Sequence, residues 1–170
     1  MIKYIKKSRQ FIIENDDICY SFYLTKEGVL QHLYFGKNTK ELNIEAISNL
    51  DQDWSRTYFD TSLNRESVYE DYYYAGRSMM EIPSHGFAEK RGSQFIIEHH
   101  DGTNLTDFRY VSHHIYKGKP QLQGLPSFID DKEVETLVIT LKDAHYDVSL
   151  VTSYSIYKAH NAIIRNNTIL

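Results

Sequence analysis

Two groups of side chains in this sequence have the types and spacing that invite chemistry, and the first is histidine. His99–His100 and His113–His114 are adjacent pairs, and imidazole nitrogen is a common zinc ligand. Neighbouring side chains on an extended chain point to opposite faces, so neither pair chelates one ion by itself. A metal site would need His100 and His113 to meet across strands; surface or interface histidines are the plainer reading, and no metal is expected. The second group is the stretch DFRYVSHHIYKGKPQLQGLPS at 107–127, where Arg109, Lys117 and Lys119 alternate with Tyr110 and Tyr116. Cations beside aromatic faces are how proteins track a nucleic-acid strand. However, Asp107, Asp130 and Asp131 lie close by, and the chain carries 19 Lys and Arg against 23 Asp and Glu, a net charge of −4. Nucleic-acid affinity comes from neutralised phosphates, so no nucleic-acid partner is expected.

Carboxylates form a third, more scattered group. Cleaving a glycoside with retention needs two carboxyl groups about 5–5.5 Å apart, one as nucleophile and one as acid/base. Asp51 and Asp53, two residues apart, share a face of an extended segment, whereas Asp16-Asp17, Glu70-Asp71 and Asp130-Asp131 diverge if extended. A complete catalytic pair is not expected; a single acid that holds a substrate is easier to credit. Gly-rich phosphate loops, a G-x-S-x-G elbow and Cys/His zinc spacings do not occur. Cys19 is the only cysteine, which rules out an internal disulfide. The N-terminal MIKYIKKSRQF has lysines with no apolar stretch behind them, and no apolar run approaches the roughly 20 residues that cross a bilayer. A cytoplasmic protein without a membrane partner is expected.

The elements that must position these residues are strands. Apolar residues alternate at Ile18, Tyr20, Phe22 and Leu24, and residues 29–35 return as a second strand after a turn at 25–28. Residues 94–99 and 105–111 flank an Asp-Gly turn, which predicts a hairpin. Leu137, Ile139 and Leu141 share a face, and Val148, Leu150, Thr152, Tyr154 and Ile156 repeat the pattern. Hairpin-linked strands without helical periodicity predict an all-β, antiparallel β-sandwich. A long irregular region rich in Asn, Asp, Ser and Tyr interrupts it at about 37–87, with one short helix-like spacing at Leu42, Ala46, Ile47 and Leu50. The chain has 14 tyrosines and 8 phenylalanines among its 170 residues, which suits both strands and stacking platforms. The last residues, NAIIRNNTIL, open a further strand with no following partner.

The 107–127 stretch also carries a resemblance. Thr106-Asp107-Phe108-Arg109-Tyr110, then His113, Ile115-Tyr116-Lys117-Gly118-Lys119-Pro120 and Gly124-Leu125-Pro126 resemble the N-terminal domain of the bacterial α-galactosidases of glycoside hydrolase family 36. The segment GVLQHLYFGK at 28–37 is similar to that family's early hairpin. Glu135-Thr136-Leu137, Leu141-Lys142-Asp143 and Ile163-Ile164-Arg165 match later strands, so the likeness spans nearly the whole chain. It implies part of a large β-supersandwich that precedes a catalytic (β/α)₈ barrel holding both catalytic aspartates. Residues 1–170 are then expected to be an N-terminal domain fragment lacking the barrel, which would account for the unfinished last strand.

By that resemblance the chain is a non-catalytic portion of a retaining α-galactosidase acting on melibiose or raffinose, inactive alone, with no cofactor. Its implied partners are the α-galactoside, the barrel of the same parent chain and further copies in a homo-oligomer. Asp51 falls where the family places an aspartate that reaches a galactose pocket, and Trp54 beside it either stacks on sugar or anchors the loop. The family's Tyr-Gly-x-x-Asp-Phe-Arg-x-Pro is replaced by YAGRSMMEIP at 74–83, with Gly76, Arg77 and Pro83 holding its place and Glu81 as a substitute acid. The opening stretch, from Arg109 to Pro126, is expected to be a connector between strands. The alternative is a stand-alone carbohydrate-binding β-sandwich module using the Tyr-rich region.

Overall fold

The computed structural model describes residues 1–40, 80–86, 92–122, 124, 128 and 133–170. Two four-stranded antiparallel sheets face each other. The first runs β1 (Ile2–Ile5), β2 (Gln10–Glu14), β3 (Ile18–Leu24) and β4 (Leu30–Lys37) in that spatial order. The second runs β5 (Phe108–Lys117), β6 (Val134–Asp143), β7 (Ser149–Tyr157) and β8 (His160–Ile169), again in chain order. Both sheets are therefore plain meanders, and no helix occurs among the described residues. The expected all-β sandwich is what the chain forms.

The pleat explains the core. Phe11 and Ile13 of β2, with Phe22 and Leu24 of β3 and Leu30 of β4, point inward from one sheet. Leu137, Ile139 and Leu141 of β6 meet them with Leu150, Tyr154 and Ile156 of β7 from the other. Each such side chain contributes about 1.5–3 kcal/mol by leaving water. At the β3–β4 turn, Gly28 adopts φ +86°, a left-handed conformation that costs a glycine little. Its carbonyl accepts the Tyr110 amide at 2.8 Å, stitching the turn to the opposite sheet.

Three expectations need correction. Residues 109–126 were expected to form a connector, yet Phe108–Lys117 is a ten-residue strand paired along β6. A bulge between Tyr110 and Ser112 inserts Val111 as an extra residue, so Phe108 and Tyr110, then His113, face inward, while Ile115 stays exposed. That shift breaks the two-residue period in mid-strand and hides it from a pattern count. Residues 94–99 were expected as a hairpin arm; the turn exists, with the Gly102 amide bonded to the His99 carbonyl at 2.9 Å. The arms do not form a ladder. Phe95 and Thr106 instead make single bridges to Ser84 and Gly86, and Ile96 and Leu105 stay exposed, with no sheet to receive them. Third, β1 and β2 were not anticipated, because the lysines between them mask short strands. The short helix-like spacing at 42–50 lies outside the described residues.

The ends of the two sheets are tied together at Asn15. Its Nδ2 donates to the carbonyls of Tyr157 (3.2 Å) and His160 (3.0 Å) and approaches Asn161 Oδ1 at 3.2 Å. Its Oδ1 accepts the amides of Asp17 and Ile18, both at 2.9 Å, which shapes the β2–β3 turn. One buried amide thus joins the β2–β3 turn to the β7–β8 turn.

Candidate functional site

Among the described residues, a concentrated group of ionisable side chains lies between the sheets around Glu81. Residues 80–86 form a strap that belongs to neither sheet. It is attached by the bridge between Gln31 and Met80 and by the Glu81 amide, which donates to Leu30 O at 3.0 Å. Alternation along β3 and β7 turns Tyr20 and Tyr154 inward, and both phenols reach the Glu81 carboxylate. Tyr20 Oη donates to its two oxygens at 2.6 and 2.7 Å, and Tyr154 Oη to Oε1 at 2.8 Å. His32 Nδ1 of β4 stands 3.3 Å from Oε2, and an Arg165 guanidinium nitrogen of β8 stands 3.5 Å from Oε1. Arg165 also covers the Tyr154 ring at 5.4 Å and donates to Gln94 Oε1 at 3.1 Å.

The electrostatics follow from burial. The Glu81 side chain is 1% exposed. Burial first, and then the negative charge of Glu81, push both phenols well above the ordinary tyrosine range. Tyr20 and Tyr154 therefore remain protonated donors. Among the described residues, this carboxylate is ringed by the two phenols, His32 and Arg165, is shut from solvent, and meets no second acid. Charge-assisted hydrogen bonds of this kind hold a carboxylate firmly in place.

A second cluster surrounds His113. Tyr4 and Phe11 flank its ring at 4.5 and 4.9 Å, and Tyr110 Oη is 2.6 Å from Nδ1. Burial, helped by the neighbouring His114, holds the His113 pKa below the usual histidine value. The other histidines scatter. His99 is buried and stacked on Tyr146 at 3.6 Å, His100 meets the edge of that tyrosine, and His114 stacks on Tyr116. Among the described residues, no three His, Cys, Asp or Glu side chains converge as metal ligands.

The basic stretch is similarly committed. Arg109 donates to Glu27 O at 2.9 Å and grips Asp107 through two nitrogens at 2.6 and 2.9 Å. Lys119 donates to the Phe128 carbonyl. A cleft of about 490 Å³ bounded by Met1, Lys117, Glu133, Glu135 and Lys158 does hold two carboxylates. Glu133 pairs with Lys158 at 2.8 Å, and Glu135 accepts the Ile2 amide at 2.8 Å. Both acids are thus engaged by neighbouring groups.

Asp51, Asp53, Trp54, Gly76 and Arg77 lie outside the described residues. Glu81 and Pro83 are within them; the Pro83 carbonyl accepts the Gln94 amide at 2.9 Å. Sequence reasoning named Glu81 but missed its four partners. The strand alternation that turned Tyr20 and Tyr154 inward was visible; their common target was not, since it lies 61 and 73 residues away along the chain.

Fold and site together define a two-sheet antiparallel β-sandwich domain with a buried, fully engaged carboxylate between its sheets. Residues 28–170 match the model of the glycosyl hydrolase family 36 N-terminal domain, and the chain belongs to that family. It is 30% identical over 172 residues to the α-galactosidase Mel36A of Lactobacillus acidophilus, a match covering 98% of this chain and 22% of that protein. The solved galactosidase domain of the α-galactosidase–sucrose kinase AgaSK superposes over 99% of this chain and 23% of its own, with TM-score 0.80 and 26% identity. A variant of the α-galactosidase AgaA from Geobacillus stearothermophilus, solved in complex with raffinose, covers 94% of this chain and 22% of its own, with TM-score 0.76 and 28% identity. The chain thus spans about a fifth of the length of the relatives it matches (22%).

Proposed function

We propose that this chain is the non-catalytic N-terminal portion of a retaining α-galactosidase that hydrolyses terminal α-galactosides such as melibiose or raffinose. It serves as scaffold and subunit-docking surface for a catalytic barrel in the same parent chain and for further copies in a homo-oligomer. The observation that carries this reading is the family match over residues 28–170 in a chain that spans 22% of its α-galactosidase relatives. The raffinose bound to a relative supports the substrate class. The saturated Glu81 and the paired Glu133 and Glu135 support a non-catalytic role. Asp51, with Trp54 beside it, is the proposed sugar contact, since carboxylate oxygens accept hydrogen bonds from sugar hydroxyls.

Incubation of the purified chain with an aryl α-galactoside tests the central claim, and no release above buffer is expected. Turnover proportional to protein would refute it. Calorimetric titration with melibiose and raffinose should give no saturable heat; saturable binding by the chain alone would favour a stand-alone carbohydrate-binding module. In an α-galactosidase carrying this domain, Asp51→Ala should lower kcat/KM for galactosides, and an unchanged value would remove Asp51 from the site.

A further inference from the structure

The strap at 80–86 is attached through isolated contacts, with no ladder of its own. Besides the two contacts to β4, the Gln94 amide donates to Pro83 O, the Thr106 amide to His85 O at 3.0 Å, and Ser84 Oγ to Thr106 O at 3.3 Å. Ile82 alone adds a strap side chain to the apolar core. Against this light attachment, Glu81 is engaged by both sheets: β3 and β4 through Tyr20 and His32, β7 and β8 through Tyr154 and Arg165. Among the described residues, those four are the titratable and charged groups that face it; both phenols donate to it and Arg165 brings a cation. A neutral amide of the same shape would offer one acceptor in place of two and turn its own N–H groups toward donors. Removing one member of a buried charged network leaves the others unpaired, which costs far more than the network's net worth.

We propose that the charged Glu81 carboxylate is a latch that seats the strap and closes the two sheets at their β4–β8 end, making the strap a separable element whose docking depends on that charge. The apolar core has its own members apart from the latch: Phe22 of one sheet and Leu137 and Leu150 of the other are fully buried in one cluster. Local opening of the strap should therefore precede global unfolding once the charge is gone. The inference is independent of any sugar contact by Asp51.

Hydrogen exchange on the purified chain tests it, with the Glu81 and Thr106 amides as strap reporters and the β3 and β7 ladder amides as reference. In Glu81→Gln the strap amides should exchange roughly tenfold faster or more while the ladders keep their protection. Arg165→Met keeps the carboxylate and removes its cation, so a smaller increase at the same amides is expected; this variant decides the matter if Glu81→Gln does not fold. Strap exchange unchanged from wild type overturns the latch. Acceleration that is uniform across strap and ladders also overturns it, since Glu81 would then be one more core residue.

Discussion

Replacing Asn15 with aspartate would test how the two sheets are tied, because it changes one NH₂ into an oxygen and almost nothing else. The acceptor side survives, since the Asp17 and Ile18 amides still find an oxygen. The donor side inverts: an anionic oxygen would face the Tyr157 and His160 carbonyls at 3.2 and 3.0 Å. Two lost hydrogen bonds cost about 1 kcal/mol each, and stranding buried acceptors adds about 1 kcal/mol or more. The sum is about 3 kcal/mol, which for a chain of this length lowers Tm by about 6–12 °C. Asn15→Asp should also show a pH signature. A carboxyl facing acceptors has a folded-state pKa above the unfolded value of about 3.9. The penalty is therefore complete at neutral pH and is relieved as pH falls through the folded-state pKa, where the protonated acid donates again. Circular dichroism melts of both proteins at matched pH values measure this. A Tm within 1–2 °C of wild type at pH 7, or a gap that does not narrow toward acid, would refute the role given to Asn15.

His113, held below its ordinary pKa by burial, takes up a proton more readily once unfolded. Stability should thus be complete above the unfolded value of about 6.5 and decline as pH falls below it; urea melts of His113→Phe should show a shallower decline over that interval, and an identical slope would exclude His113 as its source. Gly86 adopts φ +98°, and a Cβ there would stand 2.2 Å from Leu105 Cδ2 and 3.3 Å from Leu105 Cα. The exposed Leu105 side chain can swing away but its backbone cannot, so Gly86→Ala should cost about 1–3 kcal/mol in denaturant melts, and a loss below about 0.3 kcal/mol would count against that geometry.

How far the sequence was legible depended on the length and regularity of each strand. Residues 18–24 were read to the residue, and the inward sets of β6 and β7 were read correctly, because uninterrupted alternation over seven or more positions has one interpretation. Only the start of β5 was read, within the 105–111 arm; its second half escaped because Val111 resets the alternation. The short β1 and β2 escaped for another reason: Ile2 and Tyr4 make sense only opposite Ile13 and Phe11. The Glu81 centre was the least legible feature. Its partners sit on four strands, and their meeting depends on sheet-to-sheet register that no local pattern encodes.

Each meander completes its own strand ladders, and the 38–107 connection joins them. Closing such a connection costs free energy that grows only with the logarithm of its length, about 0.6 kcal/mol per doubling. Extra residues in that connection should thus leave the strand pairings and the Asn15 tie intact. Away from the strap at 80–86 and the 94–106 residues bridged to it, such additions should carry little thermodynamic consequence for the sheets on either side.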